Sequence, residues 1–329
     1  MADHGRNTTS NDTNPISKIP LDDFDPQRFY NFYTFMGSFI AGSACCSFLL
    51  NGLVIAVLIK YIRTITNTNI IVLSMSCANI LIPLLGSPLS ATSSLMRKWQ
   101  FGNGGCTWYG FINTLSGISG IYHLTFLSFE RFITIVLPLK RDTILSTKNI
   151  YIGLGILWVA AIGVAGAPVF GWCEYIKEGV RTSCSVAWSS KENMNVFSYN
   201  LFMIFTVFLL PMLVIIYCNY RFIKEVSIMS TRARGLQGGD SEMTASASKA
   251  EKQLTIMVIT MIIAFNIAWL PYTVVSMVFL TGYGDVVGPM GASVPSVFAK
   301  TSVIYNPVIY CLLNRSFRKM LCGNSVEPE

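Results

Sequence analysis

The fold turns on one stretch, GPMGASVPSVFAKTSVIYNPVIYCL, which occupies residues 288–312. At 1.5 Å per residue a helix of this length reaches about 37 Å, enough to cross a hydrocarbon core of about 30 Å. Its only charged residue is Lys300. An ammonium at bilayer depth costs about 3 kcal/mol or more and marks a functional site by default. Lys300 stands ten residues before Tyr310, too deep for its head to snorkel to the interface. Two readings follow. Either the amine faces a wet cavity or an acidic partner, or it is used covalently as a Schiff base, where desolvation makes it nucleophilic toward an aldehyde.

Working outward, the 329 residues are 52% hydrophobic and only 12% charged, against about 25% charged in soluble domains. Such oiliness excludes an ordinary soluble enzyme, a disordered chain, a collagen and a disulfide-dense scaffold. The net charge of +7 accompanies no basic-aromatic run, so nucleic acid is not an expected partner. Six further apolar stretches are predicted to span, at about 33–60, 68–95, 104–136, 150–171, 196–223 and 251–281. The fold class expected is therefore an all-α membrane protein, a seven-transmembrane helix bundle with a short amphipathic C-terminal helix at 314–322. It divides into an N-terminal tail (1–32), the bundle (33–312) and the amphipathic helix with a short tail (313–329). Residues 229–248, rich in Gly, Ser, Thr and Ala, read as a flexible connection.

Lys and Arg orient such a chain. With the N-terminus outside, fifteen basic residues fall on the cytoplasmic side and eight outside, and Lys300 lies within the seventh span. The expected localisation is the cell membrane, multi-pass, N-terminus extracellular and C-terminus cytoplasmic. Asn7 and Asn11 begin N-glycosylation sequons in that tail. The tail lacks a long apolar run, so the first span is expected to direct insertion.

Glu130-Arg131-Phe132 ends span three, and span seven carries Asn306, Pro307 and Tyr310. Together with Asn51, Trp99, Trp158, Pro211 and the run from Phe265 through Trp269, Pro271 and Tyr272, these resemble the rhodopsin-like family of G-protein-coupled receptors. Lys300, six residues before Asn306, narrows the resemblance to animal opsins. That resemblance implies a Schiff base on Lys300 to retinal, 11-cis in the dark and all-trans after light. It also implies that Tyr109, Trp269 and Tyr272 surround the ligand, that Trp269 pushes on a helix kinked at Pro271, and that Glu130 and Arg131 form a lock. Asn306, Pro307 and Tyr310 would form the switch that admits a heterotrimeric G protein.

The resemblance further implies a disulfide between Cys106 and Cys184 in an oxidising compartment. Cys45, Cys46, Cys77, Cys218 and Cys311 read as small buried hydrophobes, Cys173 has no assigned partner, and Cys322 after the amphipathic segment is a palmitoylation candidate. Metal ligation is not expected, because His4 and His123 lack partners at ligand spacing.

A protonated imine needs an anion. Of the seventeen acids, all but Glu174, Glu178, Glu192 and Asp285 fall in the N-terminal tail or on the cytoplasmic side. Glu178, six residues before Cys184, is the expected counterion, in the loop the disulfide would press onto the ligand. Vertebrate visual pigments instead place a glutamate where this chain has Tyr109, so the chain looks like opsins that rely on the loop carboxylate and hold all-trans retinal after light. The run from Gly105 to Phe111 resembles the encephalopsin and teleost multiple-tissue opsin group, within the ciliary type. Asn79 and Asn219 depart from the family's span-two aspartate and span-five tyrosine, with Tyr217 and Tyr220 close to the latter.

The reading that results is a light-sensing receptor of the ciliary opsin type, bistable, coupled to a Gi/Go-class G protein, with arrestin a possible further partner. Its alternatives are a retinal photoisomerase of the retinochrome kind, which shares the lysine and the loop glutamate, and a chemoreceptor whose lysine is incidental.

Overall fold

The computed structural model describes residues 30–188, 193–235 and 240–322. Asn7, Asn11, nearly all of the N-terminal tail and the last seven residues lie outside them. Helix α1 covers Tyr30–Lys60, α2 Asn67–Leu95, α3 Gly102–Val136, α4 Thr147–Phe170 and α5 Met194–Ile228, continuing to Gly235. Then come α6 (Asp240–Leu280), α7 (Pro289–Leu313) and α8 (Arg315–Leu321). Six of these are long and apolar enough to cross a bilayer, and α3, bent by 111° into the short helices at Pro138–Ile144, brings the number to seven. The starts follow local chemistry. Thr66 and Ser146 accept from the amides of Asn69 and Asn149 at the heads of α2 and α4, and Asn314 does the same for Phe317 at the head of α8.

The bundle turns apolar surface outward as well as inward. Val54, Leu58, Ile71, Met75, Leu124 and Leu127 form its core, while Phe35, Ile156, Val159 and Leu213 are more than 60% exposed. Only lipid satisfies so much outward apolar surface on long helices whose backbone bonds are internal. This corrects the reading of the cysteines: Cys218 is buried and Cys311 half-buried, but Cys45, Cys46 and Cys77 are exposed on the outer face. Apolar composition alone does not separate a lipid-facing residue from a core one. The stretch read as flexible is also largely helical, since α5 runs to Gly235 and α6 begins at Asp240. Its Ala, Met, Arg and Glu residues are good helix formers and it contains no proline.

α3 lies at the centre, packed against α2, α4, α5 and α6. The expectation of a purely helical chain missed one element, an antiparallel hairpin of β1 (Tyr175–Glu178) and β2 (Ser183–Val186), with Glu178 opposite Ser183 and Lys177 opposite Cys184. Its turn needs left-handed backbone at Gly179 (φ 52°) and Arg181 (φ 61°). The hairpin lies across one end of the bundle and is tied to three helices. Val180 N donates to Ser293 Oγ at 2.9 Å, Tyr33 Oη donates to the Val180 carbonyl at 3.3 Å, and Ser94 Oγ donates to Thr182 Oγ1 at 3.1 Å.

Candidate functional site

α7 is broken where the site needs it. Pro295 and Pro307 remove two backbone donors, and the helix steps through Thr301 with i to i+3 bonds, Thr301 N to Phe298 O and Ile304 N to Thr301 O. The carbonyl that Pro307 cannot satisfy, that of Val303, accepts from Asn51 Nδ2 of α1 at 3.0 Å. The break directly follows Lys300.

Lys300 lines a cavity of about 590 Å³ between α3, α5, α6, α7 and β2, a volume typical of small-ligand sites. The wall is almost wholly apolar, with Ile118, Met203, Val207, Phe265 and Trp269 among its residues. Lys300 Nζ donates to Ser296 Oγ, one turn earlier, at 2.6 Å, and lies 3.5 Å from Glu178 Oε1 at the end of β1. Ser296 and Ser183 both donate to that carboxylate oxygen, at 2.5 and 3.0 Å. A buried carboxylate beside a half-buried ammonium is tolerated because each is paired and hydrogen-bonded. The hairpin is pinned by the Cys106–Cys184 disulfide, which joins the head of α3 to β2.

The remaining expected ligand-side residues divide. Trp269 and Tyr272 line the cavity; Trp269 Nε1 donates to Ser302 Oγ at 3.0 Å, and its ring stacks on Phe265. Tyr109 does not line it. Its ring lies behind Lys300, with the centroid 5.6 Å from Nζ, and packs edge-on to Trp99. Sequence reasoning missed Ser183 as a carboxylate donor and Trp188, whose Nε1 donates to Tyr272 Oη at 3.0 Å from a position in the cavity wall. Ser296 carried a usable signal, since a hydroxyl four residues before a helical lysine shares its face.

At the far end of α3, Arg131 donates to Glu130 Oε2 through Nε at 2.6 Å and to Thr68 Oγ1 through Nη2 at 2.5 Å, and Thr68 Oγ1 in turn donates to Glu130 Oε1. Tyr310 Oη donates to Asn69 Oδ1 at 2.8 Å, and its ring lies 4.8 Å from that of Phe317 in α8. Asn306 is buried in α7 one turn away. Asn219 Nδ2 donates to Ser128 Oγ of α3 at 3.3 Å, whereas Tyr217 and Tyr220 are exposed on the outer face and do not take its place. Asn79 donates to Asn51 Oδ1, so an uncharged amide pair stands in this part of the core. Cys322 is exposed just past α8.

Cys173 is buried beside the hairpin, its thiol donating to the carbonyls of Glu174 and Ala187 at 3.7 Å, and burial pushes it up to about 11. His123 contacts the Ser119 carbonyl and Ser74 Oγ. Among the described residues no three His, Cys, Asp or Glu side chains cluster as metal ligands do.

Residues 50–310 match the family model of the 7 transmembrane receptor (rhodopsin family). The chain is 34% identical to the pinopsin of Columba livia over 278 residues, 83% of this chain and 77% of the relative. It is 33% identical to the blue-sensitive opsin of Carassius auratus over 296 residues, 88% of this chain and 80% of the relative. The crystal structure of squid rhodopsin superposes with a TM-score of 0.82 at 28% identity, covering 89% of this chain and 85% of the other. These relatives are receptors and not enzymes. A multi-pass bundle of this architecture, matched over most of its length by the family model and by named opsins, makes the chain a member of the opsins within the rhodopsin family of seven-transmembrane receptors.

Proposed function

We propose that this opsin is a light-activated receptor that holds retinal on Lys300, with Glu178 as the counterion. The observation that carries the reading is the single amine in the wall of the large apolar cavity, paired with a hairpin carboxylate at 3.5 Å. Retinal, when bound, supplies an aldehyde carbon for the amine and a double bond that light isomerises from 11-cis to all-trans. Lys300 anchors it. Glu178, held by Ser296 and Ser183, balances the positive charge that remains on the lysine nitrogen. Trp269 and Tyr272 shape the apolar wall, Tyr109 closes the space behind the nitrogen, and the hairpin covers the cavity from above.

The opposite end couples to a heterotrimeric G protein. Glu130 and Arg131 are the lock, and Asn306, Pro307 and Tyr310 form the hinge and switch of α7. The excess of Lys and Arg on that side supports a cytoplasmic C-terminus and an extracellular N-terminal tail, with Asn7 and Asn11 glycosylated and Cys322 palmitoylated. Tyr109 in place of a carboxylate supports a bistable pigment, and the run from Gly105 to Phe111 supports a ciliary type near the encephalopsin and teleost multiple-tissue opsin group; the partners of this reading are a Gi/Go-class G protein and arrestin.

Purified receptor loaded with 11-cis-retinal should gain an absorption band in the dark and drive nucleotide exchange on Gi or Go only after illumination. Light-driven retinal isomerisation with no exchange would favour the photoisomerase instead. Absence of any new band would leave the chemoreceptor.

A further inference from the structure

A second cavity, of about 80 Å³, lies at the hairpin end between β1, β2, the C-terminal end of α6, the head of α7 and the loop joining them. Two acids stand in its wall, Glu178 and Asp285, and Asp285 is exposed to solvent. Ser185, Val186, Trp188, Tyr272 and Ser276 line both cavities, so these side chains are a partition between them. Glu178 lines only the small cavity and Lys300 only the large one, and their ion pair spans the partition. Ser276 is 3% exposed, and its Oγ has no hydrogen-bond partner.

A buried hydroxyl left unmatched costs about 1–3 kcal/mol. A cavity of this size has room for several waters at roughly 10–15 Å³ of such volume each, and its mostly apolar wall carries polar groups at a few positions. Glu178, Ser185, Asp285 and the Ser276 hydroxyl offer the two to four polar partners that a water needs. We propose that the small cavity is a water site, open to bulk at Asp285, that hydrates Glu178 from the solvent side and delivers water through the Ser276 position toward Lys300. Its consequence for the pigment rests on the retinal reading above; the water site itself does not.

The direct test uses retinal-free receptor in lipid nanodiscs, labelled by millisecond hydroxyl-radical pulses and read by mass spectrometry at Phe279, which lines the small cavity alone. Phe279 should be modified, and Ala292→Leu, filling the cavity from α7, should lower the yield. Val287→Phe fills it from the loop if the first variant fails to fold. An unmodified Phe279, or a yield indifferent to both fillers, overturns the proposal.

Retinal-loaded receptor in the dark gives the second readout. Hydroxylamine adds its nitrogen to the imine carbon, the Lys300 nitrogen leaves as the ammonium and the product is the oxime. The absorption band should decay, and Ala292→Leu should slow the decay. Equal decay in both proteins overturns delivery to Lys300 by this route. A receptor that forms no band fails the retinal reading, while the labelling result still decides the water site.

Discussion

Glu178 and Lys300, 122 residues apart in the chain, lie 3.5 Å apart, with Ser296 Oγ accepting from the amine at 2.6 Å and donating to the carboxylate at 2.5 Å. The relationship depends on two distant constraints. α7 must place Ser296 and Lys300 on one face, and the hairpin must lower the end of β1 onto them. The disulfide to α3 and the bond from Val180 N to Ser293 fix the second.

Lys300→Arg keeps a cation opposite Glu178 but cannot form an imine with an aldehyde. The variant should fold and reach the membrane yet show no absorption band after incubation with retinal. A normal band in its spectrum would remove Lys300 from the site.

Glu178→Gln removes the carboxylate nearest the lysine nitrogen. A buried cation without its anion favours the neutral form, so the retinal-bound variant should absorb in the ultraviolet at neutral pH and return to the visible on acidification. Ser296→Ala, which keeps the carboxylate and loses the bridging hydroxyl, should move the band without abolishing it. A visible Glu178→Gln pigment at neutral pH would assign the charge balance to another group.

The thiol inventory gives a third test. Peptide mapping of native protein should recover Cys106 joined to Cys184 and Cys173 free. The bond closes a loop with a sequence separation of 78, so Cys106→Ala with Cys184→Ala should cost about 4 kcal/mol by loop-closure entropy. Cys173 is held neutral well above its ordinary range, so it should resist maleimide at pH 8 until the receptor is unfolded. Rapid labelling of Cys173 in folded protein would contradict its burial.

What the sequence showed and what it hid have physical causes. Spans of twenty or more apolar residues are legible because a bilayer demands them, and their ends moved by only a few residues, except at the end of α5 and the start of α6, where polar but helix-favouring segments extend both helices outward. Lys300 was legible as one charge in an apolar run. The hairpin was not. Its strands are four residues each, too short for alternation to register, although Tyr175–Glu178 and Ser183–Val186 flank a glycine-led turn. Without the hairpin register, Ser183 had no reason to meet Glu178. The inward or outward sense of Cys45, Cys46 and Cys77 was also hidden, because lipid and core are both apolar.

Thr68→Val tests the lock. Its hydroxyl accepts from Arg131 Nη2 and donates to Glu130 Oε1, so valine removes both bonds at nearly constant shape. Losing about 1–2 kcal/mol from the resting pair should raise dark nucleotide exchange several-fold and leave the absorption band unchanged. Dark exchange equal to that of the unmodified receptor would mean that α2 does not restrain Arg131.

Gly117 tests whether α3 sets the position of Trp269. A Cβ at residue 117 would lie 2.6 Å from Trp269 Cη2 and 2.8 Å from Cζ2, a rigid ring edge that cannot yield locally. Gly117→Val must therefore push the indole along α6 and stretch or break its bond to Ser302 Oγ, the tie between α6 and the broken turn of α7. Because that ring lies in the cavity wall, the variant should shift the absorption band and raise light-independent nucleotide exchange together. Gly155→Val in α4 is the control, since a Cβ there meets nothing within 4 Å, and it should alter neither. If Gly117→Val moves the band but not the exchange, Trp269 shapes the ligand site without acting on α6, and its assignment as the coupling residue fails.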